Sequence, residues 1–86
     1  MIAWEYKICH EEGLHVRPIS YIVSHLMKYD CRVQVESGGR KADGRDLMEL
    51  LALGAGKGQM LKFSFEGREE KEAAEQLLRF LPEIGL

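Results

Sequence analysis

The stretch "CRVQVESGGRKAD", residues 31–43, contains two alternating segments separated by a pair of glycines. In CRVQVE, apolar side chains recur at every second position, which is the period of a half-buried strand. Gly38 and Gly39 supply the positive φ angles that a tight hairpin turn requires. The stretch therefore predicts an antiparallel hairpin whose second strand, RKAD, is short.

Two more strands are predicted outside this hairpin. Residues 2–9, "IAWEYKIC", alternate between an apolar face and a mixed face. The alternation returns over Met60–Glu66, where Leu61, Phe63 and Phe65 share one face. Each of these strands has one apolar face, so a second layer must cover it.

A first helix is predicted over residues 16–28, where apolar side chains follow the i, i+3, i+4 spacing of a single stripe. That stripe consists of Ile19, Ile22, Val23, Leu26 and Met27. The side chains expected to face away from the stripe are Tyr21, Ser24, His25 and Lys28.

Asp46 is predicted to cap a second helix, with Glu49 as its partner in a capping box. This helix ends at "GAGKG", residues 54–58, which we interpret as a flexible loop because it lacks the spacing of a nucleotide-binding loop. A third helix is predicted from about Glu69, with Pro82 near its end. Its apolar side is expected to consist of Ala73, Ala74, Leu77, Leu78 and Leu81.

The element order β-α-β-β-α-β-α predicts an α+β fold of two layers, in which helices cover one face of an antiparallel sheet. The length of 86 residues fits one domain, residues 1–86. A net charge of −2 gives no general attraction to nucleic acid or to an anionic membrane. Because no apolar run approaches the roughly 20 residues of a membrane span and no signal peptide is evident, we expect a cytoplasmic protein. Cys9 and Cys31 are expected to be free thiols.

The stretch "GLHVRPIS", residues 13–20, predicts an anion site. If His15 directly precedes the first helical turn, Pro18 lies within that turn, where its missing N–H has no intrahelical acceptor to lose. The imidazole then lies beside unpaired backbone N–H groups, those of Val16 and Arg17, at the positive end of the helix dipole. The guanidinium of Arg17 adds a fork of donors suited to phosphate oxygens.

An imidazole nucleophile beside donors arranged for a dianion suits the acceptance and later release of a phosphoryl group. No cluster of metal ligands, second catalytic base or carboxylate pair is evident alongside it. We therefore expect a phosphoryl carrier without metal or cofactor, and not an enzyme with its own substrate pocket. His10 and His25 lack matching partners and are expected to be surface residues.

On "EEGLHVRPIS", "GRDLMELLALGAGKG" and "FEGREEKEA", the chain resembles the HPr family of histidine-containing phosphocarriers in the bacterial phosphoenolpyruvate-dependent sugar phosphotransferase system. The resemblance implies an open-faced β-sandwich of four strands and three helices. It implies that His15 accepts phosphate through Nδ1 from enzyme I and passes it to an enzyme IIA, assisted by Arg17. It also implies that Leu47, Met48 and Leu51 contact both partners.

Several positions depart from the common pattern of this family. Asp46 occupies the place of a regulatory serine in many relatives, and its charge partly imitates a phosphorylated serine. Val16 and Ile19 replace alanines that are often found there. Glu12 is expected to repel a phosphoryl group on His15, or to be a solvated loop acid.

Two alternatives remain open at this stage. One is a regulatory interaction protein of the same family, whose phosphorylation state or permanent acidity at Asp46 controls a partner instead of sugar transport. The other is a ferredoxin-like ligand-binding module, which the element order alone permits. Nothing in the sequence demands more than a monomer.

Overall fold

A computed structural model describes residues 1–86 and has the predicted element order. Its strands are β1 (Ile2–Lys7), β2 (Arg32–Ser37), β3 (Arg40–Asp43) and β4 (Met60–Glu66). Its helices are α1 (Val16–Leu26), α2 (Leu47–Ala52) and α3 (Glu70–Phe80), and a 3-10 turn, Leu81–Glu83, follows α3. None of these helices has the length and apolar character needed to cross a membrane.

The four strands form one sheet in the order β1-β4-β2-β3, and all neighbours are antiparallel. The hairpin between β2 and β3 turns at Gly38 and Gly39, whose φ angles are +56° and +80°. β4 lies between β1 and β2, so the last strand in the chain joins the two halves of the sheet. The sequence pattern alone leaves this order open.

The predicted α+β architecture of two layers is confirmed, with the helices on one face of the sheet and the other face open. The covered face supplies the largest part of the core, including Val35, Leu61, Phe63 and Phe65, all fully buried. Trp4 of β1 packs beside Phe63, with ring centroids 4.7 Å apart. Burying these aromatic rings is a major source of stability for so small a chain.

The prediction for the end of the first helix is wrong at two residues. The pattern predicts that His25 faces solvent, but it is only 5% exposed, and it places Met27 in the buried stripe, but Met27 is 65% exposed. The physical reason is that α1 ends at Leu26, so Met27 no longer continues the helical stripe. In α3, Leu78 is likewise 44% exposed instead of buried.

The predicted capping box at α2 is only half present. Asp46 does cap the helix, since its Oδ1 accepts a hydrogen bond from the Glu49 backbone N–H at 3.1 Å. Glu49 does not return a bond to Asp46; its Oε1 accepts from the backbone N–H of Asp43 at 2.9 Å. Glu49 therefore ties α2 to the end of β3.

β1 ends two residues earlier than predicted, at Lys7. Beyond it, the backbone N–H groups of Cys9 and His10 both donate to the backbone oxygen of Leu86, at 2.8 and 3.2 Å. Both cysteines are free, Cys9 exposed and Cys31 buried.

Candidate functional site

His15 lies where the sequence predicts, directly before the first turn of α1. Its backbone is extended (φ −120°, ψ −179°), and its carbonyl accepts the hydrogen bond from the Ile19 N–H at 3.1 Å. Pro18 is the third residue of the helix and is buried. The proline removes one N–H that would have lacked an intrahelical acceptor, and its fixed φ suits the first turn.

The N-terminus of α1 has unused hydrogen-bond donors beside His15. Neither Val16 nor Arg17 donates its backbone N–H to any acceptor in the protein. The Arg17 side chain is exposed and makes no ion pair. Two free amides, the positive end of a helix of 11 residues and a free guanidinium together can bind an anion.

The two ring nitrogens of His15 have different surroundings. Nε2 is buried and has no hydrogen-bond partner. Nδ1 also has no partner in the protein, but it is not among the buried atoms. Nδ1 is therefore the ring nitrogen that an incoming group can reach.

The loop that carries His15 is held by the GAGKG loop. The Leu14 N–H donates to the Ala55 carbonyl at 2.9 Å. Gly13 has a φ of +66°, and a Cβ at this position would lie 2.6 Å from the Ala55 oxygen. Only glycine meets both conditions, because other residues rarely adopt this φ and would collide here. GAGKG is a loop, as the sequence predicts, and it also supports the segment that carries His15, which the sequence did not predict.

His10 lies close to His15, which the sequence prediction missed. The two rings have centroids 5.9 Å apart. His10 is exposed as expected, but the expectation that it has no matching partner is wrong. Potential metal-ligating atoms of His10, Glu12 and His15 all lie within 4.8 Å of one another. The spacing H-x-E-x-x-H across a glycine turn is the sequence signal that points to this group.

The second helix presents an apolar surface next to α1. Met48 is 70% exposed, and Leu47 and Leu51 are half-buried at the edge of the core. Leu50 and Leu53 are buried. The expectation that this helix has more apolar residues than its buried side can use is therefore confirmed. An exposed methionine flanked by leucines is typical of adaptable docking surfaces.

Comparison with known proteins identifies the family. The family described as "PTS HPr component phosphorylation site" matches residues 2–83. The chain is 34% identical over 80 residues to the phosphocarrier protein HPr of Vibrio cholerae, covering 93% of this chain and 94% of that protein. It is 30% identical over 84 residues to HPr of Haemophilus influenzae, covering 98% and 99% of the two chains.

A solved structure supports the same assignment. HPr-C-His from Thermoanaerobacter tengcongensis superposes with a TM-score of 0.88 at 29% identity, covering 95% of this chain and 92% of that one. The match spans the sheet and the helices, so the ferredoxin-like alternative no longer stands. The chain therefore belongs to the HPr family, the phosphocarrier proteins of the phosphotransferase system.

Proposed function

We propose that this chain accepts a phosphoryl group on Nδ1 of His15 from enzyme I and passes it to an enzyme IIA. The single observation that carries the proposal is that Nδ1 of His15 is accessible at the N-terminus of α1, beside the unpaired backbone N–H groups of Val16 and Arg17. The proposed carrier is one domain, residues 1–86, which works as a monomer in the cytoplasm.

The transfer is a displacement at phosphorus. The lone pair of Nδ1 forms an N–P bond while the bond between phosphorus and the donor's leaving group breaks. The ring proton stays on Nε2. In the phosphorylated form, the oxygens of the phosphoryl group receive hydrogen bonds from the free amides and from the Arg17 guanidinium. Transfer to the next protein repeats the displacement, with His15 as the leaving group.

The second helix supplies the docking surface in this proposal. Met48 is exposed and flexible, so it can pack into differently shaped partners. Leu47 and Leu51 extend the apolar area at the edge of the core. Because Asp46 replaces the regulatory serine of many relatives, a serine kinase finds no acceptor at this position.

The proposal is tested with labelled phosphoenolpyruvate, enzyme I and a purified enzyme IIA. We expect label on the chain that is lost in acid and kept in base, and then label on the enzyme IIA. His15→Ala should abolish both signals, whereas His10→Ala, which removes the neighbouring ring, should keep them. Label that remains in His15→Ala would refute the acceptor. Label that never leaves the wild-type chain would favour the regulatory alternative over a relay.

A further inference from the structure

Three side chains of one loop converge at the N-terminus of α1. We propose that His10, Glu12 and His15 form a binding site for a Zn²⁺-like divalent transition metal, and that the bound metal prevents phosphorylation of His15. The ligating atoms already lie within 4.8 Å of one another. Two imidazoles and one carboxylate form a donor set found at zinc sites, with a fourth position left for water.

The loop is held in the shape that the site needs. The Gly13 N–H donates to the His10 carbonyl at 3.0 Å, which turns the chain back on itself between the two histidines. At its start the loop is fixed by the bond from His10 N–H to Leu86, and at its end by the bond from Leu14 N–H to Ala55. The backbone therefore loses little additional freedom when a metal binds.

Small side-chain movements complete the coordination. Metal–ligand distances of about 2.0–2.1 Å place tetrahedral donor atoms about 3.4 Å apart. The present separation of up to 4.8 Å must therefore shorten by roughly 1.4 Å. His10 and Glu12 are both exposed, so their side chains can rotate inward without disturbing the core.

The donor groups are also chemically available. Nδ1 of His10 accepts a long hydrogen bond of 3.3 Å from the Glu12 N–H, so this nitrogen carries a lone pair and no proton. The Glu12 carboxylate makes no ion pair. Neither ring nitrogen of His15 has a hydrogen-bond partner. A metal would therefore displace one weak hydrogen bond and no salt bridge.

Metal binding and phosphoryl acceptance compete for the same imidazole. A neutral imidazole has one protonated nitrogen and one lone pair. A metal on Nδ1 of His15 occupies the phosphoryl acceptor directly. His15 then cannot act as the nucleophile, a consequence that rests on the proposed function.

Titration calorimetry of the purified chain with zinc chloride tests the site without any other protein. We expect one zinc per chain. Zinc binding should weaken at least about tenfold in both His10→Asn and Glu12→Gln, because loss of a residue that only hydrogen-bonds to a metal ligand already costs about 10–100-fold in affinity. Glu11→Gln is the matched control, an exposed acid of the same loop, and should bind as the wild type does. Mg²⁺ should not bind, since it prefers oxygen ligands.

Four results would overturn the site. They are the absence of zinc binding, unchanged binding in His10→Asn and Glu12→Gln, loss of binding in Cys9→Ser, and a stoichiometry of two chains per zinc. Cys9 is included because its exposed thiol lies next to His10. All of these variants change exposed side chains, and circular dichroism verifies that each remains folded.

The effect on phosphorylation is measured separately. Zinc should slow labelling of the wild-type chain by enzyme I but should not slow labelling of Glu12→Gln. Because the same enzyme I phosphorylates both chains, the variant controls for direct inhibition of enzyme I by zinc. Equal slowing of both chains would refute the competition. If neither chain is labelled even without zinc, the proposed function fails while the calorimetric result on the metal site still stands.

Discussion

The Arg17 side chain carries an unpaired positive charge two residues after the proposed acceptor, His15. It makes no ion pair within the chain, and it extends into solvent from the second position of α1. A guanidinium in this position can follow the phosphoryl group as it moves from donor to His15, because it is not held by any other residue.

Arg17→Gln should therefore slow phosphorylation of His15. Loss of a charge-assisted hydrogen bond costs about 1.5–3 kcal/mol, which corresponds to roughly ten- to hundredfold in rate. The measurement is the initial rate of labelling by enzyme I. Arg32→Gln is the control, since Arg32 is also exposed but lies on the sheet. Equal rates in both variants would rule out a specific role for Arg17.

His25 is the buried histidine of the molecule and joins α1 to α3. Its ring lies 5.1 Å from that of Tyr29 and meets Phe80 edge to face at 5.5 Å. Burial, the largest effect, lowers the pKa of His25. The hydrogen bond with the Ala73 carbonyl acts in the opposite direction, and the positive charge of Lys28 lowers the pKa further. The folded protein thus favours the neutral ring.

This lowered pKa gives a pH dependence of stability. At pH values between the pKa of His25 in the folded chain and its unfolded value of about 6.5, the unfolded chain binds more protons than the folded chain. The contribution of His25 to the free energy of unfolding is therefore complete above about pH 6.5 and is lost as the pH falls. The difference in unfolding free energy between the wild type and His25→Gln should decrease from about pH 7.5 to about pH 5. Urea denaturation measures it. A difference that stays constant or grows on acidification would contradict the effect.

Among the connections between elements, the turn at Gly13 places the acceptor loop against the GAGKG loop. Gly13→Ala should destabilise the fold more than Gly54→Ala. Both glycines have similar φ angles, +66° and +61°, so both variants carry the strain of about 1 kcal/mol for a left-handed residue. Only the Gly13 variant adds a collision, with Ala55 O. Thermal unfolding compares them, and equal losses of stability would show that the contact with Ala55 is unimportant.

Asp46 caps α2, and its negative charge lies beside the proposed docking surface. Asp46→Ala should lower stability by about 1 kcal/mol through loss of the bond to the Glu49 N–H, whereas Asp46→Ser and Asp46→Asn should keep the cap. If the negative charge at this position hinders docking, both capped variants should be phosphorylated by enzyme I faster than the wild type. Rates that are equal or slower would show that the charge does not inhibit.

The sequence predicts elements well where periodicity decides them. The strands around Val35 and Phe63 and the start of α1 at His15 follow from local pattern and local chemistry, and all three are confirmed. The errors occur mainly near the ends of helices and strands and in the loop before α1. His25 is buried because α3 supplies aromatic and carbonyl partners from a distant part of the chain. Glu49 bonds to Asp43 because β3 ends next to α2.

For the folded chain as a whole, the site depends on segments far apart in sequence. The loop from His10 to His15 is held by Ala55 and by Leu86. The contact with Ala55 exists because β4, which follows the GAGKG loop, pairs with β1, an order that the alternation of apolar residues does not encode. The acceptor and Arg17 could therefore be named from the sequence, whereas the H-x-E-x-x-H spacing by itself does not show that the His10 ring approaches His15.

The most direct measurement is nuclear magnetic resonance of the chain after phosphorylation by enzyme I and phosphoenolpyruvate. With ¹⁵N-labelled histidine, the phosphorus should show coupling to one nitrogen only, Nδ1 of His15, with one phosphoryl group per chain. A phosphorus coupled to Nε2 of His15, or to a nitrogen of His10 or His25, would contradict the assignment of the reachable nitrogen as the acceptor.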